Sequence, residues 1–132
     1  MPRSTETISW AGSGQAGAPP LMADAVRWGD LLFLSGRAAV EPGTLRLRPG
    51  GFDAQATAVV NDVAAVPEAG GSGLEHVLRV ECFLAEAEDF EAWNRVWRSR
   101  FPSAPPARTT VVTGFGVEGI LIELQVVAGV PS

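Results

Sequence analysis

Arg108 stands between a rigid Pro-Pro turn and an apolar strand-like run, in Pro105-Pro106-Ala107-Arg108-Thr109-Thr110. Proline fixes the backbone ahead of it, so the arginine is held in place instead of waving in solvent. Further along, Glu123 interrupts a second apolar run, Ile120-Leu121-Ile122-Glu123-Leu124-Gln125-Val126-Val127. A carboxylate in so hydrophobic a β-pattern must be paired, hydrogen-bonded or protonated. The two residues together offer a guanidinium suited to gripping a carboxylate and a carboxyl tuned for handling a proton. Each also has a structural reading. Arg108 could form an ion pair with Glu118 or across a subunit boundary, and Glu123 could partner a buried arginine at such a boundary.

The rest of the composition narrows the chemistry. The only cysteine, Cys82, cannot form an internal disulfide, and one His with one Cys cannot build the usual zinc site. The chain contains no lysine and no tyrosine. That excludes Schiff-base, pyridoxal-phosphate and phosphate-loop lysines, and any phenol acting as acid or base. Neither a metal nor an organic cofactor is expected. His76, the one conventional general base, follows Gly73-Leu74-Glu75 on an expected surface turn with no Ser or Cys near it in sequence. The net charge is −5. The arginines at 95, 98 and 100 cluster at one helix end, where they complement its dipole, so a nucleic-acid surface is not expected.

At 132 residues, 46% hydrophobic and 19% charged, the chain fits one globular domain over 1–132, with residues 1–20 loosely ordered. It has no apolar run long enough to span a bilayer and no charged-then-apolar start, so a cytoplasmic location is expected.

The positioning elements follow from periodicity. Ile8-Ser9-Trp10 could begin a strand, with a loop from Ala11 to Pro20. Ala25–Trp28 and Leu31–Gly36 read as two strands joined by a Gly29-Asp30 turn. Phe52, Ala56, Val59, Val63 and Val66 carry the helical period, with Asp53 as N-cap and Pro67 and Gly70-Gly71 as the stop. Leu78 to Ala85 alternates as a strand with Val80, Cys82 and Leu84 on one face. Asp89 caps a second helix whose stripe of Phe90, Trp93, Trp97 and Phe101 reads as core against a sheet, and Pro102 closes it. Thr109 to Thr113 and Gly119 to Ala128 are the last strands. This order predicts an α+β fold: one mixed sheet with two helices packed on one face. The other face (Leu121, Glu123, Gln125, Val127) is mostly apolar, which calls for a covering subunit.

Taken in order, Gly29-Asp30, Leu34-Ser35-Gly36, Gln55, Asn61-Asp62-Val63, Asp89-Phe90, Asn94, Pro106-Ala107-Arg108-Thr109-Thr110 and Ile122-Glu123-Leu124 resemble the RidA (reactive intermediate/imine deaminase A) family, formerly YjgF, also labelled endoribonuclease L-PSP. The resemblance spans roughly residues 22 to 128. It implies a chorismate-mutase-like fold forming a homotrimer with a barrel-like core and clefts between subunits. It also implies hydrolysis of enamines and imines, among them 2-imino acids, to 2-keto acids and ammonia without metal or cofactor.

By position, Arg108 matches the arginine that grips the substrate carboxylate, and Glu123 the glutamate proposed to position or activate water. Thr110 and Gly36 match pocket-lining positions, Ser35 lies beside them, and Asn94 matches an asparagine read as supporting the loop. The chain departs from the family at Met22, where many members carry tyrosine, at Arg37, where they carry glutamine, and at Gly116-Val117, in place of Leu-Pro. Met22 makes a softer, more apolar wall. Arg37 either adds a second cation or points to solvent. A non-catalytic carboxylate binder on the same scaffold is the alternative. A ribonuclease or translation inhibitor, the activity of the family's older names, is opposed by the acidic balance.

Overall fold

The computed structural model describes residues 5–8, 22–41 and 46–131, with Thr5–Ile8 described by backbone alone. The expected loop from Ala11 to Pro20 lies outside these residues. So does the loose order expected of 1–20, apart from Thr5–Ile8, which form strand β1 ahead of the expected Ile8-Ser9-Trp10 start.

Strands β2 (Ala25–Trp28) and β3 (Leu31–Leu34) form the expected hairpin, with Trp28 opposite Leu31 across a two-residue turn. Gly29 takes φ +60°, the left-handed geometry such a tight turn requires at its first position. A short strand, β4 (Arg37–Ala38), follows.

Helix α1 spans Phe52–Ala69. Its N-cap is Gly51, whose carbonyl accepts the Gln55 N–H at 3.0 Å; Asp53 lies inside the first turn, where its charge complements the dipole. Pro67 sits within the last turn instead of ending the helix, because its carbonyl can still accept. The Ser72 N–H reaches Pro67 O at 2.7 Å and the Gly71 N–H reaches Glu68 O at 3.1 Å, with Gly71 at φ +85°, a Schellman stop.

Strand β5 (Val77–Leu84), helix α2 (Phe90–Arg100) and strand β6 (Ala107–Val112) make one crossover unit, with β5 and β6 parallel. Strand β7 (Ile122–Gly129) is antiparallel to both β3 and β5 and lies between them. β3 and β5 therefore run the same way, and α1 is the crossover between them. Parallel crossovers share one hand, so both helices fall on one face of the sheet.

The core lies on that face. Leu32, Leu34, Val80, Cys82, Leu84, Ile122, Leu124 and Val126 pack against Ala56, Val59, Val63 and Val66 of α1 and against Trp93 and Trp97 of α2. The Trp93 and Trp97 rings meet edge to face with centroids 5.7 Å apart, and Trp97 and Phe101 lie 4.5 Å apart. Phe90 departs from the expected core stripe. As the first residue of α2 it lies at the margin of the sheet, 42% exposed.

The other sheet face carries Glu123, Val127 and Phe83 with the exposed rings of Trp28 and Phe33 and the exposed side chain of Val111. It is the apolar face expected from the last strand, wider than that strand alone indicated.

The barrel-like core implied by the resemblance is corrected. The strand order is β1-β2-β3-β7-β5-β6, with β4 paired to β7, and the path ends in two edges, β1 and β6, that do not pair with each other. Closing the sheet would need hydrogen bonds between those edges. The chain instead covers one face with helices and leaves the sheet open.

One buried amide ties this frame to β7. Gln55, 4% exposed, donates through Nε2 to Gly119 O at 3.0 Å and accepts the Leu121 N–H at 2.9 Å. It fixes the chain just before Glu123. Gln55→Ala leaves both backbone groups unmet and is expected to cost about 1–3 kcal/mol in denaturant unfolding; an unchanged midpoint would show that another group takes over.

Candidate active site

Arg108 lies on β6, directly beside Val80 of β5, and so on the helix-covered face. The crossover through α2 brings three residues of one helical face, Phe90, Asn94 and Trp97, over it. Arg108 Nη2 donates to Asn94 Oδ1 at 2.7 Å and Nε to Thr110 Oγ1 at 3.0 Å. Its guanidinium carbon lies 5.0 Å from the Trp97 ring centroid and 5.5 Å from that of Phe90. No carboxylate of the described residues pairs with it, so the expected alternative of an ion pair with Glu118 is absent within the described chain. Asn94 supports the arginine itself, where a loop support was expected. The helical spacing of 90, 94 and 97 was the signal for this group. Thr110 contributes its hydroxyl to this group.

Glu123 lies on β7 opposite Phe83 of β5. Burial pushes its carboxyl above the ordinary carboxylate range, and no described residue supplies it a hydrogen bond or counter-ion. It stands against Gly36, where an added Cβ would come 3.1 Å from Glu123 Cδ. Glycine is what leaves room beside the carboxyl at this position.

The two groups therefore occupy different surfaces. Val80 and Phe83 are three residues apart on one strand, so their partners Arg108 and Glu123 point to opposite faces. Within one chain the sheet separates them.

The remaining expected residues lie on the segments flanking β2, β3 and β4. The Ser35 hydroxyl donates to Ala23 O at 2.6 Å, and the Ser35 N–H to Asp24 O at 3.0 Å, pinning the segment that carries Met22. Met22 is 64% exposed. Arg37 pairs with Asp24 at 2.9 Å, beside Leu124 on the helix-covered face, so its charge is engaged there and not directed at Glu123. Arg48 similarly reaches Asp62 at 3.2 Å; burial pushes the Asp62 carboxyl up while Arg48 and Arg37 pull it back.

Three other candidates fall elsewhere. Cys82 is fully buried, and burial pushes its thiol up. His76 lies in a single 3-10 turn, Leu74–His76, at the far end of β5 from Phe83, 3.6 Å from Glu75. Asn61 accepts from Arg100 at 2.8 Å and links α2 to α1. Among the described residues no group of three His, Cys, Asp or Glu is placed to hold a metal, and no helix is long and apolar enough to cross a membrane.

An open α+β sheet with two helices on one face thus carries a held arginine on one surface and a desolvated carboxyl on the other. The family model described as Endoribonuclease L-PSP matches residues 16–130. The chain is 37% identical over 107 residues to the protein mmf2, mitochondrial, of Schizosaccharomyces pombe, covering 79% of this chain and 83% of that one. It is 34% identical over 103 residues to a RutC family protein of Saccharolobus solfataricus, covering 78% and 82%. The crystal structure of RidA from the Antarctic bacterium Psychrobacter superposes with a TM-score of 0.82 at 28% identity, covering 95% of this chain and 99% of that one. The chain belongs to the RidA/YjgF (Endoribonuclease L-PSP) family, whose members generally act on reactive imine and enamine intermediates. The expected cytoplasmic location is corrected, since a relative this similar is a mitochondrial protein.

The raised Glu123 pKa has a consequence for stability. The folded state holds that proton more tightly than the unfolded chain, so stability falls as pH rises from the ordinary carboxylate range through the raised value. Glu123→Gln is expected to melt above wild type at neutral pH, with the gap closing on acidification. A gap that is constant across pH would assign the difference to packing.

Proposed function

We propose that the protein hydrolyses reactive enamines and imines, specifically small 2-imino acids, to 2-keto acids and ammonia. The observation that carries this is Arg108, a fixed cation whose hydrogen-bond partners are neutral and which no described carboxylate neutralises. Such a guanidinium is matched to the planar carboxylate of a 2-imino acid.

Glu123 supplies the second half. A protonated imine carbon is already electrophilic, so the site has to hold it, orient a water and accept a proton. Water adds to the C=N carbon and gives a proton to the Glu123 carboxylate. Glu123 returns that proton to the carbinolamine nitrogen, the C–N bond breaks with its electron pair leaving on nitrogen, and the hydroxyl proton passes to the departing ammonia as the C=O forms, giving the keto acid and ammonium with the Glu123 carboxylate restored. A carboxyl with a raised pKa is suited to both transfers. Arg108, Glu123, Gly36 and Thr110 are the proposed site residues, with Asn94 and Ser35 as supports and Met22 as an apolar wall. Arg37 supports the frame through Asp24.

Arg108 and Glu123 lie on opposite faces of the sheet, so the site is completed between chains, with Arg108 from one subunit and Glu123 from its neighbour. The apolar face bearing Trp28, Phe33 and Val111 supports such an assembly, and a homotrimer is the proposed state. The net charge of −5 supports a small carboxylate substrate over RNA.

The test is a coupled assay. An amino-acid oxidase generates 2-imino acids beside semicarbazide, which traps whatever imine the protein does not hydrolyse. Wild type is expected to suppress the semicarbazone, and Arg108→Ala to lower kcat/KM by roughly tenfold to a hundredfold, the loss of hydrogen bonds to a charged group. No suppression by wild type across several side-chain classes, beside an active relative, would contradict the reaction. Saturable binding of 2-oxobutanoate under those conditions would assign the protein to the carboxylate-binding alternative.

A further inference from the structure

A guanidinium carries five N–H donors and needs its charge compensated when it is partly withdrawn from water. Arg108 spends Nε–H on Thr110 Oγ1 and one Nη2–H on Asn94 Oδ1, both uncharged acceptors. No described carboxylate supplies a counter-charge. What lies against the cation is aromatic: the Trp97 centroid at 5.0 Å and the Phe90 centroid at 5.5 Å. The face of a ring is the negative end of its quadrupole, and both distances are within cation–π range. Ring faces attract the cation without occupying a donor. A carboxylate neighbour would take the same donors that a substrate needs.

The rings are held in different ways. Trp97 is buried and braced by Trp93 on one side and Phe101 on the other. Phe90 heads the helix and is 42% exposed, so it contributes little to the core. A half-exposed phenylalanine next to an arginine is poorly explained by burial alone.

We propose that Phe90 and Trp97 are positioning residues forming an aromatic clamp. The clamp holds the Arg108 guanidinium in place of a counter-ion and keeps its remaining donors open for a substrate carboxylate. The carboxylate-binding part rests on the function proposed above; the clamp itself is a property of the arginine and can be read without turnover.

The experiment uses the full chain with 15N-labelled arginine and three variants, Phe90→Leu, Phe90→Tyr and Trp97→Phe. In wild type the Arg108 Nε–H resonance is expected away from those of the exposed arginines, shifted by the rings and slow to exchange. Phe90→Leu is expected to move it toward the exposed group, while Phe90→Tyr and Trp97→Phe, which keep a ring, leave it near its wild-type position. Titration with 2-oxobutanoate is expected to shift the signal at several-fold lower concentration in wild type than in Phe90→Leu.

In the imine assay Phe90→Leu is expected to raise KM by about threefold to thirtyfold, the range of a partly desolvated cation–π contact, with kcat within about twofold. An Arg108 signal and a 2-oxobutanoate affinity that are both unchanged in Phe90→Leu would overturn the clamp. If wild type shows no imine turnover, the proposed reaction fails while the spectra still decide the clamp.

Discussion

Alternation of side chains along a pleated strand decides what this chain can do alone. β5 is bonded to β6 on one side and to β7 on the other, and its residues pass a face assignment to both neighbours. Val80 hands the helix face to Arg108, and Phe83 hands the open face to Glu123. A one-residue slip in either pairing would exchange the faces and bury the wrong group. The β5–β7 register is held because the helix-facing residues Val80, Cys82 and Leu84 of β5 and Ile122, Leu124 and Val126 of β7 are buried, and a slip would turn one strand's set outward. The hydrophobic core thus fixes the faces on which Arg108 and Glu123 stand.

The same constraint explains the price of the site. Glu123 is desolvated beside Gly36 without a described partner, which works against folding at neutral pH. Arg108 is held by neutral oxygens and rings instead of a carboxylate. Neither arrangement is what stability alone would select. Both groups are tied down by neighbours: Gln55 before Glu123, and Asn94 and Thr110 around Arg108.

Much of this was legible in the sequence, for identifiable reasons. The helices were readable because Val59, Val63 and Val66, and Trp93 and Trp97, repeat at helical spacing and bury one face. The hairpin was readable because Gly29 supplies the positive φ its turn needs. Arg108 and Glu123 stood out because charges in apolar strands are costly. The helix ends were less legible: Gly51 caps through its backbone carbonyl, which no side chain advertises, and Pro67 can accept bonds even though it cannot donate one. Which face each charge occupies was not legible, since that depends on pairing between strands far apart in sequence. The role of Arg37 was unreadable for the same reason, as its partner Asp24 is on another segment. The open sheet could not be told from a closed one by periodicity, because both need the same alternation.

The central claim is that one working site takes Arg108 from one chain and Glu123 from another. Mixed trimers of Arg108→Ala and Glu123→Gln, made by co-expression or by refolding together, test it directly. Each variant alone is expected to be strongly impaired. In random mixtures about a quarter of the sites receive an intact arginine from one parent and an intact glutamate from the other, so imine hydrolysis is expected to recover to roughly a quarter of the wild-type rate. If the mixture stays as inactive as its parents while mixed trimers are shown to form, both residues serve the same site from one chain, and the sheet does not divide that site between subunits.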